Sequence, residues 1–503
     1  MLSKVKSFGL SGLEGFMVTV EVDVSASLPA CEIVGLPDAA VRESKERVRS
    51  AIKNSGFDYP VGRITVNLAP ADMKKEGSIY DLPIALGIIS ATGQLKGPMP
   101  DYIYLGELAL DGSIRGIHGL LPMVISASAQ GYDTFVVPSA NAPETSYISS
   151  VTAYGAASLK EAVDIINSGG RAVPWEKKQW SPKRISYHND FEDIKGQYGA
   201  KRAAEIAAAG GHNMPGSGKT MLAKSMPSIL PELTFNEALE ITKIQSITGI
   251  MEAGEGIASE RPFRSPHHSA STAALVGGGQ KAMPGEISLA HYGVLFLDEF
   301  PEFSKDVLES LRQPLEDGVV TITRASAKAT YPADFMLIAA MNPCPCGYYG
   351  SRMQECRCKP YEIAKYRNRI SGPLLDRLDM HVEMAEVGYS DITSNKPGES
   401  SAAIRERVDE ARRIQRERYK KDGIICNAQL SARLVKKYCV PDENGQRLMR
   451  QAYERLNLSA RAYNRVMKVA RTIADLSGGG DITYEHIAEA IQYRTVDKKY
   501  WGE

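Results

Sequence analysis

The chain has 503 residues, with 60 Lys and Arg against 60 Asp and Glu, and seven cysteines. That length implies about two to four domains with cores of their own, and zero net charge leaves any nucleic-acid binding to local patches rather than global basicity. No apolar run reaches the length of a membrane span, the start MLSKVKSFGLSG lacks a signal-peptide core, and seven cysteines in so long a chain do not form a secreted disulfide scaffold, so the sequence reads as a soluble cytoplasmic protein.

Residues 1–168 mix short β-rich runs (MVTVEVDV, RITVNLA, TFVVPS) with helical ones (AVRESKERVRSAIKNSG, DLPIALGIISATG, SLKEAVDIINSG) and predict an α/β or α+β domain. Residues 169–190 carry Pro, Trp and scattered charge without periodicity and read as a linker. A second domain, 191–396, is expected to open with a helix at 200–209 and to contain apolar strands at 293–297 and 335–339, which predicts a mostly parallel sheet wrapped by helices. From 397 to 503 the chain turns helical and charged, with amphipathic helices expected at 405–421 and 464–476.

The chemistry begins at Asn-Met-Pro-Gly-Ser-Gly-Lys-Thr, 213–220. Gly216, Ser217 and Gly218 suit a loop whose backbone N–H groups turn toward phosphate oxygens. Lys219 can reach the terminal phosphates, and the Thr220 hydroxyl can ligate Mg²⁺. Downstream, the apolar strand GVLFLDEF delivers Asp298 for the Mg²⁺ shell and Glu299 to polarise an attacking water. FMLIAAMNPCPCG ends a second strand at Asn342, an amide suited to orienting that water. SGPLLDRLDM sets Arg377 in apolar surroundings, where it could clamp a transferring phosphoryl group from a neighbouring subunit. LSARAYNRVMKVARTIADL, 458–476, puts Arg461 at the start of a helix, from which it could close over the nucleotide.

Cys344, Cys346, Cys356 and Cys358 form two C-x-C pairs that could hold one structural Zn²⁺, with free thiols or a redox pair as the alternatives. Cys31, Cys426 and Cys439 read as isolated thiols.

The order of P-loop, LFLDE, MNPCPCG, SGPLLDR and SARAYNR, with RPFRSPHHSASTAALVGGG before it, resembles the magnesium-chelatase-like AAA+ ATPases, and nearly the whole chain resembles the YifB/ComM family. The resemblance implies an AAA+ P-loop parallel sheet with a helical lid, preceded by a Lon-protease-like α+β domain. It implies a hexameric, ATP- and Mg²⁺-dependent motor hydrolysing ATP while acting on single-stranded or branched DNA, as in branch migration during natural transformation or recombination. It makes Lys219 and Thr220 the Walker A pair, Asp298 and Glu299 the Walker B pair, Asn342 sensor 1, Arg377 the arginine finger and Arg461 sensor 2. It also makes 275–288 and 320–335 pore-facing insertions, with Arg324 and Lys328 as phosphate-backbone contacts.

KKEGSIYDLP places Ser78 where the Lon-like fold, found also in RadA-type repair proteins, has its nucleophile. No lysine lies between Arg115 and Ala129 to act as its base, so no peptidase activity is expected. Two other roles stand beside the motor: a chelatase-type ATPase remodelling a partner protein, and a degenerate, non-hydrolysing ring protein that binds DNA.

One departure marks this chain. Family members resemble one another in Gly-His-Asn, an apolar strand, then Gly-Pro-Pro-Gly-Ser-Gly-Lys-Thr, whereas here Asn213 meets Met214 and Pro215 directly, about six residues short of the pattern. Dropping a central strand would strand ladder hydrogen bonds at roughly 1–3 kcal/mol each. Either a nearby segment fills the gap, the loop is displaced, or the sequence carries a deletion. In each case weak or absent ATP binding is expected.

Overall fold

The computed structural model describes residues 1–182, 189–217, 220–251, 256–324, 328–351, 354–384 and 398–501, with side chains left undescribed at 217 and 495–501. Part of the expected linker, 183–188, and the phosphate-loop residues Gly218 and Lys219 lie outside the described residues.

The N-terminal part is built on a seven-stranded mixed sheet, in the order Ala30–Val34, Arg63–Ala69, Glu14–Ser25, Leu2–Ser11, Ile103–Tyr104, Thr134–Pro138, Thr152–Ala156. The long Glu14–Ser25 strand buries Val18, Val20 and Val22, the period-two pattern of a strand with one face in the core. Helices Ala39–Asn54 and Asp81–Ala91 cover one face of the sheet. Leu120–Ala129 covers the other, packing Leu120 and Met123 around Phe8 and Ile103.

The second sheet is five-stranded and wholly parallel, in the order Phe263–Arg264, Val294–Leu297, Met336–Ala340, Met214–Ser217, Val382–Glu383. Val294–Leu297 and Met336–Ala340 are buried along their whole length, as strands covered on both faces must be. With its many helices this is the expected α/β class. The Tyr198–Gly210 helix precedes the Met214–Ser217 strand and packs against Ser401–Tyr419 and Ala460–Leu476 of the C-terminal helical part.

Ala460–Leu476 starts where Ser459 accepts the Ala462 N–H, at 3.1 Å. It buries Val466, Val469, Ala470 and Ile473, a stripe at helical spacing. Its core is continuous with that of the parallel sheet, so the lid helices and the strands share one apolar interior.

The N-terminal part joins the second through Leu120–Ala129 against Phe235–Thr248, where the Gly119 N–H donates to the Ser246 carbonyl at 2.9 Å. Within the expected linker, the Trp180 indole donates to the Ala258 carbonyl at 3.3 Å and lies against Phe235.

Candidate functional site

Open parallel sheets carry their ligands at the carboxyl ends of the strands. There the structure gathers several of the expected groups. Thr220 opens the Thr220–Ile229 helix, and its hydroxyl donates to an Asp298 carboxylate oxygen at 3.1 Å. A hydroxyl and a carboxylate in contact at the end of a buried strand are a fitting pair for one Mg²⁺. Glu299 follows in the left-handed region, φ 50°, which turns its exposed side chain away from the strand line. The His268 Nδ1 lies 3.0 Å from its carboxylate. The adjacent His267 ring stacks on His268 at 4.0 Å between centroids. The PHH run was visible in the sequence, but nothing in its spacing ties His268 to a carboxylate some thirty positions on, an order of separation that only tertiary structure sets. Asn342 is exposed just past the Met336–Ala340 strand.

The phosphate loop is where the geometry departs from expectation. Met214, Pro215 and Gly216 pair with Ile338, Ala339 and Ala340, and Gly216 and Ser217 pair with Val382 and Glu383. Residues expected to wrap a phosphate are therefore an inner strand of the sheet. The short segment itself thus fills the gap in the sheet. Gly216 serves that packing, since a Cβ there would come within 3.1 Å of the Val382 carbonyl.

Asn213 extends the repair. Its side-chain oxygen accepts the Leu337 N–H at 2.8 Å, its N–H donates to Asp379 at 2.9 Å, and its carbonyl accepts the N–H groups of Asp379 and Met380. The ladder groups feared lost are thus satisfied by the loop residues themselves. Asn213→Ala should leave the Leu337 N–H unpaired and cost about 1–3 kcal/mol in chemical denaturation; an unchanged midpoint would deny Asn213 this role.

The repair has two consequences. A narrow, mostly apolar cleft is left beside the strand, lined by Met214, Leu222, Phe296, Ile338 and Val382. More important, only Gly218 and Lys219 remain between the strand end at Ser217 and the helix start at Thr220. A phosphate cradle needs a run of residues between strand and helix whose successive N–H groups turn inward. The chain has spent that run on the sheet. The described residues fit Mg²⁺ ligation by Thr220 and Asp298 and do not fit the triphosphate cradle.

Arg377 is buried, 8% exposed; it donates to the Pro373 carbonyl at 2.7 Å and pairs with Glu316. Arg461 is exposed, and its charge and that of Arg465 join Arg377 in holding the Glu316 carboxyl below its usual range, with the Arg377 hydrogen bond the largest cause. The expected finger and sensor thus converge on one glutamate that the sequence did not single out. Behind them Asp379 is enclosed, bonded to Arg465 and to the Asn213 N–H, with His212 at 3.8 Å. Burial works to raise the Asp379 carboxyl, but the charges of Arg465 and Lys468 prevail and hold it well below the carboxylate range.

The two insertions lie side by side. Strands Val319–Thr323 and Lys328–Pro332 form an antiparallel hairpin with Arg324 and Lys328 at its turn end. The Gly277–Gly278/Met283–Pro284 hairpin packs on it, with the Tyr331 hydroxyl donating to the Ala282 carbonyl at 3.0 Å. Arg324 reaches Gly278, and exposed Lys281, a basic residue missed in the sequence, stands in the same turn.

In the N-terminal part the Ser78 hydroxyl donates to Glu107, while the Lys75 ammonium is buried on the carbonyls of Pro70 and Met73. Neither is arranged as nucleophile and base. Cys344, Cys346, Cys356 and Cys358 converge, all four Sγ atoms within 4.8 Å of one another. Cys426 and Cys439 are buried singly and Cys31 is half-buried.

Family models match most of the chain: magnesium chelatase, subunit ChlI, over 190–392; subunit ChlI of Mg-chelatase over 20–141; and the ChlI C-terminal model over 398–494. The competence protein ComM of Haemophilus influenzae is 43% identical over 98% of this chain and 98% of its own length. The uncharacterised protein YifB of Escherichia coli is 43% identical over 99% of this chain and 98% of its own. The magnesium-chelatase 67 kDa subunit of Chlorobaculum parvum is 31% identical over 163 residues, 30% of this chain and 23% of its own.

Proposed function

Because the chain belongs to the YifB/ComM family of magnesium-chelatase-like AAA+ proteins, an ATPase-type family, we propose that it is a ring-forming, DNA-acting protein whose own nucleotide site has lost its phosphate cradle. The observation that carries the second half is the pairing of Pro215–Ser217 into an inner strand of the parallel sheet. Thr220 and Asp298 keep their contact, and Glu299 and Asn342 keep their places at the strand ends. What is missing is the run of N–H groups that would hold a triphosphate among them. With the cradle intact, those four residues and Lys219 would form an ATP–Mg²⁺ hydrolysis site, with Arg461 closing over the nucleotide from the lid and Arg377, once released from Glu316, reaching the site of a neighbouring subunit. In this chain the ring acts as a scaffold that engages DNA without nucleotide.

The DNA contacts are assigned to Lys281, Arg324 and Lys328 on the two adjoining hairpins. They are phosphate contacts, and they position the strand without reading its sequence. The name of the Haemophilus relative, a competence protein, supports DNA as the partner; single-stranded or branched forms are the ones we propose. A chelatase-like role on a partner protein has weaker support, because likeness to that 67 kDa subunit covers 30% of the chain.

Fluorescence anisotropy with labelled single-stranded and branched DNA tests the proposal. Binding should be equal with and without ATP. Each of Lys281→Glu, Arg324→Glu and Lys328→Glu should weaken it and lower the salt slope by about one counterion. Affinity that rises strongly with ATP, or is untouched by the triple variant, would refute it.

A further inference from the structure

The four-cysteine cluster is not needed for any role assigned above, yet among the described residues it gathers four metal-ligating atoms within 4.8 Å of one another. We propose that it binds one Zn²⁺, and that this ion staples the tip of the Met336–Ala340 strand, which carries Asn342, to the Pro360–Arg367 helix.

The sulfur spacing carries the proposal. Cys344 and Cys346 Sγ are 3.4 Å apart, Cys344 and Cys356 3.7 Å, Cys346 and Cys356 3.6 Å. Four thiolates at about 2.3 Å from one central ion stand about 3.8 Å from each other along the edges of a tetrahedron. The three edges of the Cys344, Cys346 and Cys356 face match that figure closely, and the Cys358 sulfur lies within 4.8 Å of all three. They are far longer than a disulfide bond of about 2.05 Å. They are too short for a cubane iron–sulfur cluster, which places each thiolate on a different iron and spreads the sulfurs wider.

The chain around the cluster is shaped for the same occupant. Tetrahedral all-sulfur sites select zinc over the harder divalent ions. Cys344 is fully buried and the other three are half-buried, so the ion would be enclosed by protein on one side. Four thiolates around Zn²⁺ carry two net negative charges. Arg357 and Lys359 adjoin the second pair of cysteines, and Arg367 stacks over Tyr349 at 4.8 Å.

What the ion would hold together follows from the chain path. Cys344 and Cys346 come directly after Asn342, and Cys356 and Cys358 come directly before the Pro360–Arg367 helix. That helix returns to the strand tip. The Arg367 guanidinium donates twice to the Pro343 carbonyl, each at 3.3 Å, and the Tyr366 phenol faces the Asn342 backbone N–H. Without a central ion, closing the loop between the two C-x-C pairs costs chain entropy that weak S–H contacts do not recover. With it, Asn342 is fixed from both sides.

The full chain, expressed in zinc-supplemented medium and purified without chelator, should contain about one zinc per chain by elemental analysis. After exchange into cobalt it should show the visible absorption of a tetrahedral cobalt–thiolate centre. A Cys346→Ser/Cys358→Ser variant should lose the metal. On zinc removal by chelator, amide exchange should quicken in peptides spanning 341–367 and remain unchanged at 293–297. Less than half an equivalent of zinc together with no cobalt–thiolate absorption would overturn the site, as would iron with sulfide at these cysteines. Zinc binding with no change in exchange at 341–367 would overturn the stapling role. The wild-type metal content and cobalt spectrum decide the first point even where the variant does not fold.

Discussion

Titration of this chain with ATP–Mg²⁺ is expected to give no saturable binding below about 1 mM, and an insertion of six residues between Asn213 and Met214, five apolar followed by Gly, is expected to bring the dissociation constant to about 1 μM, a change of about 4 kcal/mol. The inserted apolar run would take over the strand slot beside Met336–Ala340 and push Pro215–Ser217 out of the sheet into a loop before Thr220. It would also place side chains in the cleft lined by Met214, Leu222 and Phe296. The affinity gain comes from N–H groups that now bond to Ala340 and Val382 strands and would then be free to face phosphate oxygens. Isothermal titration of both proteins is the measurement. Micromolar ATP affinity for the uninserted chain would show that phosphate is held by some other arrangement, and the proposed loss of the cradle would fall.

Much of this was legible in the sequence for reasons that are local. Val294–Leu297 and Met336–Ala340 are short apolar runs bounded by turn residues, and the carboxylates and amide after them sit at strand ends because the apolar run stops there. The cysteine pairs are read from spacing, although only the folded chain gives the edges of the sulfur tetrahedron. What sequence could not reveal was which segment would take the inner strand slot. Met-Pro-Gly-Ser has poor strand propensity, and its pairing is imposed by strands on both sides offering unsatisfied groups. The cost of leaving those groups open outweighs the propensity of four residues. Long-range charge pairs were equally hidden. Glu316 with Arg377, His268 with Glu299, and Asp379 with Arg465 join elements distant in the chain, and a single charged residue carries no mark of its partner.

Asp379 should be among the most costly residues to remove, and the reason returns to Asn213. Its carboxylate accepts the Asn213 N–H and pairs with Arg465, while its own N–H donates to the Asn213 carbonyl, so it ties the repaired strand to the lid helix Ala460–Leu476. It is 5% exposed and sits beside buried His212. Breaking one partner of such a pair strands the other charge, and Asp379→Ala is expected to cost about 3–5 kcal/mol against a domain stability of about 5–15 kcal/mol. The pH dependence has a definite sign. The folded carboxyl is held below the unfolded value of about 3.9, so its contribution is fully present above about pH 5 and drains away as pH falls through 3.9 toward the folded value. In Arg465→Ala the leading charge opposing burial is gone, burial gains weight, and the acid limb of the stability profile should move to higher pH. Urea unfolding followed by far-UV circular dichroism between pH 3 and 7 measures both effects. A Asp379→Ala midpoint equal to that of the parent at pH 7, or an acid limb that stays in place in Arg465→Ala, would mean that the strand is held by its backbone ladder and that the buried pair adds nothing.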